Sequence, residues 1–187
     1  LERAVEAAKR PSQARRNKRA WRHHVSVLQA AGFNAVLKRR LARQGALLTV
    51  EAGDILRRGF QDRFREAGPE DLGPLERPQP GAWQLTALMP GHRAPGASGA
   101  PGVDESEAMR DTGLDAVPWH TFGKVARGTR RHAWVFPNNL GLEESKDGLC
   151  LRFDLPKGAY ATECLRALVG VAPVVGGGAR GSRHLGA

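Results

Sequence analysis

The chain of 187 residues is 41% hydrophobic, holds two cysteines, and carries a formal net charge of +10 with a sequence pI near 10.7. That length and apolar content suit one medium domain or two small ones with a core, and two cysteines exclude a disulfide framework. No apolar run approaches the roughly 20 residues of a membrane span, so a soluble, cytoplasmic protein with a polyanionic partner is expected.

In chain order, residues 1–10 read as the end of a helix stopped near Pro11. Residues 17–44 form the longest periodic segment: Val25, Leu28, Phe33, Val36, Leu37 and Leu41 recur at three- and four-residue steps, which predicts an amphipathic helix, with Gly32 as a point of bending. Ala46 to Leu56 reads as a hairpin turning at Ala52-Gly53-Asp54. Residues 57–83 are expected to be irregular, with one short helix around Arg63 to Ala67. The stretch 90–103, PGHRAPGASGAPGV, lacks periodicity and is expected to be a loop. A short helix capped by Asp104 follows, to Leu114. Ala133 to Phe136 is expected to open a strand, Asn138 to Leu142 a second, and Lys146-Asp147-Gly148 turns into a strand from Leu149 to Leu155. The last helix covers about 161–170, and the Gly-rich remainder, 171–187, reads as a flexible tail.

Three basic groups stand out. RPSQARRNKR, residues 10–19, sets closely spaced cations before a helix start, followed by Trp21, a composition suited to phosphate neutralisation and base stacking. Arg130-Arg131 precedes the expected strand at Ala133, where an arginine pair suits bidentate phosphate contact. Lys157 sits beside Gly158 where a strand gives way to a helix, a place suited to an anion. Each can equally be a solvated charge or a corner of the fold. His23 and His24 diverge by about 100° on a helix, and Cys150 and Cys164 lie in no ligand pattern, so no metal is expected. No phosphate loop, dinucleotide fingerprint or hydrolytic triad is present, and no cofactor is expected. Asp54, Asp147 and Asp154 read as turn or solvent-facing acids.

In content and order, the segments RNKRAWRHHVSVLQAAGFNAVLKRRL, VEAGDILRRG, ALMPG, GTRRHAWVFP and LRFDLPKGAYATECLRAL resemble the TruD family of tRNA pseudouridine synthases, from Arg16 to Leu168. The resemblance implies an α+β fold: the C-terminal part of a pseudouridine synthase catalytic domain with the TruD-specific insertion. Residues 1–14 would end an upstream catalytic segment, 15–127 would be the insertion domain, and 128–170 the closing strands and helix. The implied activity is cofactor-free isomerisation of a tRNA uridine, typically at position 13, by an enzyme that is a monomer at full length. The implied RNA contacts are Arg16, Lys18, Arg19, Phe33, Asn34, Arg130, Arg131 and Lys157. The family's catalytic aspartate belongs to a segment upstream of the matched region, so no catalytic residue is carried over. The chain is expected to be a fragment that is inactive alone. A non-catalytic basic RNA-binding module is the alternative.

Overall fold

The computed structural model describes residues 5, 6, 8, 18–45, 49–59, 63–79, 81–146, 148–156, 159 and 161–169. The chain divides into two compact units, Leu1–Trp134 and Val135–Ala187.

The first unit is organised around helix α1, Lys18–Gln44, which runs unbroken where the apolar period predicts it. Gly45 ends it in a left-handed conformation, φ 83°, and its amide donates to the Leu41 carbonyl at 2.8 Å, a glycine C-cap. Gly32 is a packing site and not a bend: a Cβ there would lie 2.7 Å from the Pro90 ring. Trp21, Val25 and Leu28 on α1 pack against Phe122 and Ala126, with the Trp21 and Phe122 rings edge to face at 4.8 Å. Farther along, Phe33 and Val36 meet Ala87 and Ala108.

A four-stranded antiparallel sheet has the order β3-β2-β5-β6, formed by Phe64–Glu66, Ile55–Arg58, Trp83–Met89 and Thr129–His132 respectively. The expected hairpin over 46–56 does not form. β1, Thr49–Val50, pairs with β4, Gly73–Pro74, while β2 pairs with β3 and β5, so the two halves of that apolar stretch enter different sheets. The segment read as a helix around Arg63 is β3, followed by a 3₁₀ turn at Pro69–Asp71. Helix α2 covers Gly99–Asp111, with Ser98 as its N-cap. It starts five residues before the expected cap Asp104, which is buried inside it. Two 3₁₀ turns at Trp119–Ala126, broken at Gly123, lead into β6.

The second unit is the hairpin of β7, Asn138–Ser145, and β8, Gly148–Asp154, followed by α3, Ala161–Val169. Ser145 pairs with Gly148, so the hairpin closes between them near the expected turn; Gly148 already belongs to β8, and Asp147 lies outside the described residues. The expected boundary at 127/128 falls just before β6. Because Ala87, Leu88 and Met89 ladder with Arg131, Arg130 and Thr129, β6 groups with the first unit, and the division comes after Trp134.

Candidate nucleic-acid interface

The cations of the first unit fall into two populations. One is paired with carboxylates. Arg40 extends both guanidinium nitrogens to the two carboxylate oxygens of Asp54, each at 2.5 Å, and donates to the Thr49 carbonyl at 2.6 Å. Asp54 also accepts from the Glu51 amide at 2.8 Å. Both side chains are buried, so Asp54 is a structural anion rather than the turn acid that its neighbours Ala52 and Gly53 suggest. Arg43 bridges Glu51 and Asp104 at 2.6 and 2.8 Å, and Arg39 bridges Glu107 and Asp111. These pairs tie α1 to α2 and to the turn before β2. The Arg43 hydrogen bonds hold the Glu51 carboxyl down to about 2, against partial burial that opposes the shift. Arg65 likewise lowers the Asp71 carboxyl below its ordinary range, donating at 2.6 and 2.8 Å to its two oxygens.

Arg130 completes this paired set, and its placement corrects the expected phosphate contact. It is 1% exposed. Nε donates to Thr86 Oγ1 at 2.8 Å, Nη1 to the Pro95 carbonyl at 2.9 Å, and Nη2 to the Thr86 carbonyl and Glu105 Oε1 at 3.1 and 2.6 Å. The second Glu105 oxygen accepts from the Ala97 amide at 3.0 Å. The physical reason is register. The strand begins at Thr129, four residues before the expected Ala133, so Arg130 and Arg131 point to opposite sheet faces and cannot act as one fork. Arg131 shares its face with Ala87, and its guanidinium lies 5.5 Å over the ring of Phe33.

Phe33 is 8% exposed within the α1 packing, so it is a core aromatic and not a platform for a base. Asn34, the next residue, is exposed, as is Arg19 near the start of α1. The Lys18 backbone opens α1. Arg16 and Lys157, with its neighbour Gly158, lie outside the described residues. Of the expected contacts among the described residues, the structure brings together Phe33 and Arg131, through stacking.

The second population is exposed and includes residues that the sequence reading passed over. His92 and Arg93 pair through their amides with the carbonyls of Ala126 and Arg127, at 3.2 and 2.8 Å. This crossing is possible because Gly91 and Gly128 meet backbone to backbone: a Cβ on Gly128 would lie 2.7 Å from the Gly91 Cα, and one on Gly91 would overlap the Gly128 backbone. Arg93, Lys124 and Arg127 are exposed around it. Gln29 anchors the same loop to α1, donating to the Pro90 carbonyl at 3.0 Å. Seven residues earlier on that helix face stands the exposed Arg22. A usable signal was present in the sequence: neither 90–103 nor 116–142 contains a single Asp or Glu. Among the described residues no group of His, Cys, Asp or Glu could hold a metal ion, and no helix is long and apolar enough to cross a membrane.

A mixed helix and sheet unit that pairs some arginines with carboxylates and leaves others exposed on adjoining loops is a basic α+β unit. Comparison with known proteins makes the assignment specific. A sequence model of the family described as tRNA pseudouridine synthase D (TruD) matches residues 15–168. A protein named tRNA pseudouridine synthase D from Anaeromyxobacter sp. (strain Fw109-5) is 32% identical over 158 residues, covering 84% of this chain and 44% of the relative. The protein of that name from Shewanella oneidensis is 32% identical over 154 residues, covering 82% and 40%. The crystal structure of a Methanosarcina mazei protein titled tRNA pseudouridine synthase D superimposes with a TM-score of 0.60 at 25% identity, over 81% of this chain and 38% of that one. The chain belongs to the TruD family. It spans less than half the length of these relatives.

Proposed function

We propose that these residues work as part of a TruD-type tRNA pseudouridine synthase, an isomerase that breaks the N1–C1′ bond of a tRNA uridine and re-forms it as a C5–C1′ bond. The observation that carries this reading is the family match across 15–168, supported by relatives that bear the enzyme's name. The reaction needs a carboxylate against a nucleotide drawn out of the stack. The buried acids of the first unit do not suit that role: Asp54, Asp104 and Glu105 are held in arginine pairs. The reading therefore takes the catalytic aspartate from sequence outside these 187 residues. It gives this chain the tasks of scaffolding and RNA contact, with 15–127 as the insertion and the segment beyond it as closing elements of the catalytic domain. Arg16, Lys18, Arg19, Asn34, Arg131 and Lys157 stay in the proposed RNA-facing set. The site is cytoplasmic in this reading, and the enzyme needs no cofactor.

The test is tritium release from 5-tritiated uridine in tRNA, since the hydrogen at C5 leaves when carbon replaces nitrogen at the sugar. The chain extended by its preceding reading frame is expected to release label, and the 187 residues alone are not. Release by the short chain would overturn the assignment of the carboxylate, and no release by the extended form would overturn the activity.

A further inference from the structure

The crossing of residues 90–93 with 126–128 places like charges side by side. Arg93 is paired through its backbone to Arg127. Lys124 lies three residues before Arg127 at the end of a 3₁₀ turn, where side chains three apart stand one above the other. All three are exposed, and none has an ion-pair partner among the described residues. Elsewhere in this unit arginines meet carboxylates, as Arg39, Arg40, Arg43, Arg65 and Arg130 do. Here the two chain segments contain no acid, and the glycine contact fixes the backbones. Such an arrangement is unfavourable by itself and becomes favourable when an anion bridges the cations.

The geometry points to a phosphodiester-binding site formed by Arg93, Lys124 and Arg127 at the Gly91/Gly128 crossing, which grips the RNA backbone without reading its sequence. This rests on the tRNA-directed function above and names residues that the resemblance does not supply. A bound RNA strand lies across the outer face of this crossing, with Arg22 at its flank on the helix face that Gln29 docks against Pro90. Contacts of this kind position a nucleic acid and carry no base information.

The test uses the full chain, a tRNA transcript and an oligouridine of equal length, with affinities read by fluorescence anisotropy between 50 and 200 mM salt. The triple variant Arg93→Gln/Lys124→Gln/Arg127→Gln is compared with Arg58→Gln/Arg63→Gln, two exposed cations elsewhere in the unit. Loss of three phosphate contacts is expected to flatten the slope of log K against log salt by about 2, at roughly 0.7 to 0.9 per contact. Affinity for both RNAs should fall by the same factor, the melting temperature should hold, and the Arg58/Arg63 variant should keep the original slope. An unchanged slope in the triple variant, or an equal loss in the Arg58/Arg63 variant, overturns the site while leaving tRNA binding intact. If the parent chain binds neither RNA, the site and the RNA-contact role fall together.

Discussion

Arg130→Ala separates the two roles an arginine can have in this protein. The substitution removes four hydrogen bonds and leaves Glu105, itself 6% exposed, with only the Ala97 amide on its carboxylate. Breaking a buried ion pair from one side costs about 3 to 5 kcal/mol, chiefly because the surviving charge is stranded. A domain of this size has about 5 to 15 kcal/mol of stability in all, so the loss is a large share of it. At roughly 3 °C per kcal/mol, the thermal midpoint should drop by about 10 to 15 °C. The assay is thermal and urea unfolding of the full chain followed by circular dichroism, beside Arg130→Met/Glu105→Leu, which removes both charges and should be the milder change. A drop below about 3 °C for Arg130→Ala, or a double variant less stable than the single, would refute the buried-pair argument. Lost tRNA affinity at an unchanged midpoint would restore Arg130 to the surface role that the sequence suggested.

Three further outcomes are expected. Gly91→Ala should unfold or strongly destabilise the first unit, because its Cβ would overlap the Gly128 backbone, whereas Gly141→Ala meets open space and should cost little; comparing their melting curves checks this. Glu51 titrates at about 2 in the folded chain against an ordinary 4.5, so its contribution is complete above pH 4.5 and lost as pH falls toward 2. Asp71, lowered by Arg65, acts in the same direction, and Glu51→Gln should lower stability at neutral pH and shallow the acid limb of a midpoint-against-pH curve. In the second unit, Leu142, Leu149 and Leu151 share one face of the hairpin by register, and Leu142 and Leu149 are 62% and 71% exposed. The isolated chain should therefore associate with rising concentration, and Leu142→Lys/Leu149→Lys should reduce that association in sedimentation velocity.

What could be read from the sequence follows from how local each signal is. Helix α1 was legible because a 3.6-residue apolar period and a terminal glycine are both local. The β7–β8 turn was legible because turn chemistry is local too. The 46–56 stretch is apolar on both sides of a turn, yet the partners of its strands, Gly73 for Val50 and Arg65 and Leu85 for Leu56, are set by tertiary packing, which a local pattern does not encode. The start of α2 was hidden in a Gly, Pro and Ala stretch of poor helix propensity, where Pro101 in the first turn was the available clue. Among the site residues, adjacency misled. Arg130-Arg131 and Phe33-Asn34 look like units in one dimension, but a strand sends neighbours to opposite faces and a helix turns them about 100° apart. Arg93 and Arg127 are far apart in sequence and become neighbours only where Gly91 meets Gly128. The acid-free composition of both segments was the trace they left.

The location of the RNA can be measured directly. Cross-linking of 4-thiouridine-substituted tRNA to the chain, followed by peptide mapping, is predicted to mark the peptides that hold His92-Arg93 and Lys124 to Arg127. Cross-links confined to the β2–β3 region, with the Gly91/Gly128 crossing unmarked, would contradict the division of this protein's arginines into a carboxylate-paired scaffold and an RNA-facing surface.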